Sequence, residues 1–171
     1  MNEELLNLSK NELINYIEDI SKNWLAIDGT WFQVVEKEFG IEKAIDIDIK
    51  QWKRFTIIEA KRIKQRFKLP DYGGIPALIR ALKFRVYANI NEQEIFEISE
   101  NRCVFRMNNC RVQYARKSRG LPDFPCKGVG LVEYGDFAKT IDPRIETNCI
   151  CCPPDEHPDE YYCAWEFVLK E

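Results

Sequence analysis

The apolar positions of this chain change period once, near residue 90, and that change constrains the fold more than any single motif. Before it, they recur at helical spacing. Ser9 followed by Glu12 forms a capping-box pattern, and Leu13, Ile17, Ile20, Trp24 and Ile27 follow on one stripe. The stretch DGTWF, residues 28 to 32, is expected to interrupt or bend this helix. Trp31, Val35 and Phe39 carry the period on to a stop at Gly40. A helix is expected over 49 to 68, with Trp52, Phe55, Ile63 and Phe67 inward. LPDYGG ends it, because proline and glycine break the hydrogen-bond ladder. Ile75, Leu78, Ile79, Leu82 and Val86 mark the next helix.

After residue 90 the period falls to that of strands. EIFEIS, RCVFRM and CRVQYA have this pattern, and Asn108-Asn109 suits a two-residue hairpin joining the last two. In that register Cys103 and Cys110 lie on the apolar face as core thiols, and Arg106 opposes Arg111, with Glu97 available to neutralise them. A helix is expected over 126 to 139. Its three glycines weaken it but permit close packing on a sheet. Strands over 144 to 151 and in YYCAWEFVL finish the chain. The expected class is α+β: N-terminal helices packed on an antiparallel sheet, with a crossing helix and a C-terminal Cys-rich metal site.

The 171 residues suit one domain, with a helical half over 1–90 and a sheet half over 91–171. A net charge of −3 argues against general nucleic-acid binding, which needs a basic face. No apolar run approaches a membrane span. The start, MNEELLNLSKNEL, has neither the basic residues nor the apolar middle of a signal peptide, so a cytoplasmic address is expected. Cytoplasmic thiols are kept reduced, which disfavours disulfides, and an odd count of seven cysteines leaves one unpaired.

Four of the seven cysteines fall within residues 149 to 163. Cys149 and Cys152 form C-x-x-C, Cys163 follows, and Cys126 precedes. Two sulfurs from one turn and one from each of two other elements can build a tetrahedral thiolate site. Such a site prefers zinc, and an iron–sulfur cluster uses the same ligands. Glu146, Cys151 and His157 are further candidates for the fourth position, and Cys149 and Cys151 would share a face of a regular strand. The bland alternative is a set of reduced, buried thiols without metal. Asp28 lies among Trp24, Trp31 and Phe32: either it caps a helix, or it anchors a ligand in an aromatic-lined pocket to which Trp52 also contributes. His157, the only histidine, sits in a loop of Pro, Asp and Glu, where exposure is the plain expectation.

FPCKGVGLVEYGDFAKTIDPRI, CICCPPDEHP and YCAWEF resemble a family of small proteins of anaerobic bacteria and archaea, and IDGTWFQVVEKEFG extends the resemblance over most of the chain. That family is distantly similar to the 4-vinyl reductase domain and to the hydrolase of 2-amino-thiazoline-4-carboxylate. The resemblance implies a helical half on an antiparallel sheet, with a zinc site beside an apolar ligand pocket. Its helix-starting cysteine falls on Cys126, its Glu-x-x-Cys pattern on Glu146 and Cys149, and its last cysteine on Cys163. The insertion ICCPPDEHPDEYY departs from the pattern and adds Cys151, Cys152 and His157. The fourth ligand is then Glu146 by resemblance, or Cys152 by the tighter thiolate chelate.

Together these observations predict a cytoplasmic domain that binds a small, partly apolar molecule and carries a structural zinc-type site of Cys126, Cys149, Cys152 and Cys163. The alternative is a metal- or thiol-dependent hydrolase of a small amide or cyclic amidine. No nucleic-acid or membrane partner is expected, and a homodimer is left open.

Overall fold

The computed structural model describes residues 2–171. After a short 3-10 turn at Glu3–Leu6, helices α1 (Lys10–Phe39), α2 (Ile41–Phe67) and α3 (Gly74–Leu82) fill the first half. Strands β1 (Glu92–Phe96) and β2 (Arg102–Asn109), helices α4 (Arg111–Lys117) and α5 (Lys127–Ile141), and strands β3 (Ile145–Cys151) and β4 (Cys163–Leu169) follow. The four strands form one antiparallel sheet in the order β1-β2-β4-β3. No described helix is long and apolar enough to cross a membrane.

The capping box at the start of α1 is complete: Ser9 Oγ accepts from Glu12 N–H at 3.3 Å, and Glu12 Oε2 accepts from Ser9 N–H at 2.8 Å. DGTWF does not interrupt the helix. Gly29 costs an exposed helix only about 1 kcal/mol, and Thr30 Oγ1 donates back to Ala26 O at 2.8 Å, so the run continues for 30 residues. Asp28 therefore sits in mid-helix and caps nothing. Gly40, at φ +82°, turns the chain directly into α2, which starts at Ile41 rather than near 49. The helix after α2 stops at Leu82, and Val86 belongs to a separate 3-10 turn, Val86–Asn89.

The expected Asn108-Asn109 hairpin is absent. Cys110 is the N-cap of α4, and CRVQYA forms that helix. Asn91 Oδ1 accepts Arg111 N–H at 3.1 Å, drawing the chain off the sheet as β2 ends. The neighbours of β2 are instead β1 and β4, with Phe105 opposite both Ile95 and Trp165. Arg106 consequently meets no arginine: its Nε donates to Glu94 Oε2 at 2.7 Å, while Glu97 pairs with Arg102.

One face of the sheet is the core. Cys103, Phe105 and Met107 on β2 stand opposite Phe167, Trp165 and Cys163 on β4, all buried. Helix α5 lies across this face and α2 packs on the far side of α5, where Thr56 Oγ1 donates to Glu133 O at 2.8 Å. The approach of α5 to the sheet requires a glycine: a Cβ on Gly130 would lie 2.5 Å from the Trp165 ring. Tyr134, one turn on, stacks on the same indole with centroids 4.8 Å apart. A buried ion trio closes the helical side. Arg85, 2 % exposed, donates through Nε to Glu59 Oε2 at 2.9 Å and approaches Glu133 Oε1 to 2.8 Å through Nη2.

The α5 glycines are expected to respond oppositely to alanine. Gly130→Ala forces the Trp165 contact and should destabilise by about 1–3 kcal/mol, the usual cost of overpacking. A Cβ on Gly135 meets nothing within 4 Å, so Gly135→Ala should stabilise by up to about 1 kcal/mol through helix propensity. Urea denaturation of both variants checks the sign as well as the size.

Candidate ligand cavity and thiol cluster

The C-terminal cysteines are sorted by an irregularity in β3. Cys149 pairs with Trp165 but Cys151 pairs with Ala164, so the register shifts by one residue at Ile150. A bulge of this kind turns later side chains to the other face. Cys149 shares the core face with Trp165, whereas Cys151 lies with Ala164 on the opposite face, against Tyr161. The shared face that a regular strand would give Cys149 and Cys151 is thereby lost. Cys152 comes back to the core side and is 1 % exposed.

There Cys152 meets two other thiols. Its Sγ lies 3.5 Å from Cys126 Sγ and also engages Cys163. Cys126 stands at the start of α5, fixed from behind by Gln113, whose Nε2 donates to Phe124 O at 2.9 Å and reaches Cys126 Sγ at 3.5 Å. The loop after Cys152 is strapped to the same helix end: Lys127 N–H donates to Pro153 O at 2.9 Å, and Lys127 Nζ pairs with Asp155 at 2.7 Å. Hydrogen bonds among the thiols, then burial, push Cys152 far up. Burial pushes Cys149 up to about 11, with Lys127 opposing. These are neutral thiols in the absence of a compensating cation.

The fit to a metal ion is partial. Zn–S bonds of about 2.3 Å at a tetrahedral angle place sulfurs about 3.8 Å apart, close to the 3.5 Å between Cys126 and Cys152. Among the described residues, however, no group of three or more His, Cys, Asp or Glu is already assembled at metal-holding geometry. Two fourth-ligand alternatives lie elsewhere. Residues three apart on a strand face opposite ways, and Glu146 is exposed and paired with Lys170 at 3.2 Å. His157 sits in the outer loop, its ring nitrogens on Pro158 O at 2.9 Å and Asp123 Oδ2 at 3.4 Å.

Cys126, Cys152 and Cys163 line one end of a cavity of about 550 Å³ bounded by α1, α2, α4, α5 and the sheet. Cys110, the half-buried N-cap of α4, packs against the core and also lines the cavity, and burial pushes its thiol up to about 12. Cys103 is fully buried in the core away from the cavity. Trp165 is part of the same wall, and its buried indole N–H has no acceptor among the described residues.

The opposite end is acidic and aromatic. Asp28 and Trp52 line it, as do Asp48, Tyr87 and Glu133, while Phe32 lines the cavity nearer the thiols, edge-on to Phe124 at 4.9 Å. Trp24 lies behind this wall, edge-on to Trp52 at 5.9 Å and stacked on Phe55 at 5.3 Å. Trp31 is outside it altogether, 42 % exposed on the outer stripe of α1 with Ile27 and Val34. The uninterrupted helix sets Asp28 and Phe32, four residues apart, on one face and turns Trp31, the neighbour of Phe32, about 100° away from it. Asp28 accepts from Gln51 Nε2 at 2.8 Å, and burial raises its carboxyl. Burial, then repulsion from Asp28 and Glu133, raises Asp48 to about 7. Asp48, Glu133, Tyr87 and Gln113 carry no motif that marks them in the sequence. Their one signal is an acid or amide at an inward helical position, as in AIDIDIKQW and LVEYGDF.

Asp48 should impose a pH dependence on the ligand-free protein. A carboxyl raised from the ordinary value near 4 to about 7 holds its proton in the native state while the unfolded chain releases it. Its contribution is therefore most favourable below about pH 4, declines as pH rises, and reaches its lower plateau above pH 7. Asp48→Asn is expected to stabilise the protein at pH 8, by on the order of a few kcal/mol, and to change little at pH 4.5. Urea melts at the two pH values check this.

No curated protein matches the chain. A family profile matches residues 6–169, nearly its whole length. The chain belongs to DUF6125, a family of unknown function.

Proposed function

We propose that the domain is a cytoplasmic small-molecule-binding module whose cavity lies between the helices and the sheet. The observation that carries this reading is the cavity of about 550 Å³ with orphaned polar groups on its wall. Trp165 Nε1 is buried without an acceptor among the described residues, and Asp48, 5 % exposed on the cavity wall, has no charged partner there. Buried polar groups are otherwise nearly always satisfied, and leaving one unmade costs about 1–3 kcal/mol. A bound molecule that is apolar along its body and polar at its ends would satisfy both.

The second part of the proposal is a mainly structural metal ion held by Cys126, Cys149, Cys152 and Cys163. Zinc is the first choice, and an iron–sulfur cluster is the alternative on the same donors. The Cys126–Cys152 separation supports it, as does the convergence of two helix-end and strand-end segments on one spot. Bound there, the ion would supply the positive charge that turns neutral buried thiols into thiolates. The chain's contribution is to hold the donors: Gln113 positions Cys126, the bulge at Ile150 separates Cys149 from Cys151, and the Lys127–Asp155 pair fixes the loop that carries Cys152. The distant resemblance to the 4-vinyl reductase domain belongs to this proposal and agrees with a thiol site beside a ligand pocket.

A hydrolase of a small amide or cyclic amidine is the second reading, and one observation favours it. Cys126, Cys152 and Cys163 line the cavity and Cys149 does not. A three-thiolate site would leave its fourth position open towards a bound molecule. Cys149→Ser that keeps its fold and one metal ion per chain would favour this enzymatic reading over the structural one.

Protein purified without oxygen is expected to contain about one zinc or one iron–sulfur cluster per chain by elemental analysis and visible absorption. Cys126→Ser and Cys152→Ser should lose the metal and lower Tm sharply, since metal binding is folding free energy in such sites. Cys103→Ala should cost about 1–2 kcal/mol, the small end of core truncation, and leave the metal content unchanged. Folded, fully reduced protein with neither zinc nor iron would refute the metal half of the proposal.

A further inference from the structure

The acidic end of the cavity carries more negative charge than its surroundings balance. Asp48 is 5 % exposed and lines the cavity, yet no described residue gives it an aligned hydrogen bond; the indole of Trp52, one turn on, is its nearest donor. Glu133, 8 % exposed, is engaged by Arg85 Nη2 at 2.8 Å, a guanidinium it shares with Glu59. Asp28 has only the neutral amide of Gln51.

The cations nearby are turned to other groups or stand at the rim, and Arg111, which also lines the cavity, makes no ion pair among the described residues. Arg85 serves Glu59 and Glu133. At the rim, Lys22 pairs with Glu18 at 2.7 Å, Arg116 with Glu36 at 3.2 Å, and Arg119 donates to Gln33 at 2.7 Å. Arg111 lies towards Glu18. No cation among the described residues pairs with Asp28 or Asp48, so two buried acid groups stand on the wall of a largely apolar cavity without a counter-charge. A buried carboxylate in such a place is kept only at considerable cost unless something pairs with it.

We propose, building on the small-molecule reading above, that this end of the cavity binds the protonated nitrogen of an organic amine. The ammonium pairs with Asp48 and Asp28, and Glu133, which shares a single guanidinium with Glu59, adds negative charge nearby. Trp52 and Tyr87, stacked with centroids 5.8 Å apart at 14°, form the adjoining wall, and aromatic faces attract cations. The apolar body of the amine extends past Phe32 and Val129 towards the thiol end. A hard metal ion fits this end poorly. Calcium needs six to eight oxygen ligands, while no group of three or more acids among the described residues is set for a metal. The volume of about 550 Å³ is in the range that encloses small organic ligands.

The test uses the full chain as isolated and three matched series of probes titrated by calorimetry at pH 7.5. The probes are primary amines (2-phenylethylamine, tryptamine, hexylamine), their neutral alcohols, and the carboxylates of the same length. Amines are expected to bind at least tenfold more tightly than the alcohols, and carboxylates more weakly than either. Asp48→Asn and Asp28→Asn should each weaken amine binding at least tenfold while leaving alcohol binding unchanged, and circular dichroism with melting curves verifies that both variants are folded. Equal binding of amines and alcohols, or amine binding that survives both substitutions, overturns this inference and leaves the small-molecule reading standing. Absence of binding in all three series overturns both.

Discussion

Arg85 holds the helical half to the sheet half. It follows α3 in the chain, reaches Glu59 on α2 and Glu133 on α5, and lies over the Phe137 ring at 4.7 Å. Helix α5 rests on the sheet through Gly130 and Tyr134 and carries Cys126 at its first turn. One guanidinium therefore fixes the helix that sets both ends of the cavity. Such a buried ion cluster is weak evidence for net stability, because desolvation offsets much of its attraction. Removing one member is nonetheless severe, because an unpaired charge is left inside. Its role here is to specify one arrangement of α2 against α5.

Much of the fold was legible because periodicity and caps are local. The capping box at Ser9 and the stop at Gly40 were both marked by residue chemistry, as was the glycine-permitted approach of α5. What failed was decided by partners outside the segment itself. CRVQYA alternates like a strand, yet Gln113 turns inward to bond Phe124 and Cys126, and the segment coils into α4. DGTWF carries helix-breaking chemistry, yet Asp28 meets Gln51 across the helix interface and the helix runs through. Among the candidate site residues, convergence of Cys126, Cys152 and Cys163 followed from their spacing and their elements. The bulge that sends Cys151 away needed the register with β4, which no spacing rule encodes. Asp48 and Glu133 were not legible at all, since a carboxylate on an inward helical face is defined only by what surrounds it.

The two ends of the cavity share one physical character. Each gathers ionisable groups, thiols at one end and carboxylates at the other, in a setting that resists charge. Natural sequences break local consistency mostly at functional sites, and both violations here open on the same space. The framework absorbs the cost with the dense apolar contacts of Phe105, Phe137, Trp165 and Phe167, none more than 1 % exposed.

The four tryptophans are spread over this layout in a way that gives the molecule an internal optical map. Trp165 stands beside the thiols, Trp52 beside the acids, Trp24 behind the acidic wall, and Trp31 in solvent. Sulfur and carboxyl groups quench indole emission differently, and solvent shifts it to the red. An event at the thiol end alters the emission of Trp165, one at the acidic end alters that of Trp52, and Trp31 serves as a fixed reference. Chains with single tryptophans retained would report which end of the cavity responds, without any label being attached.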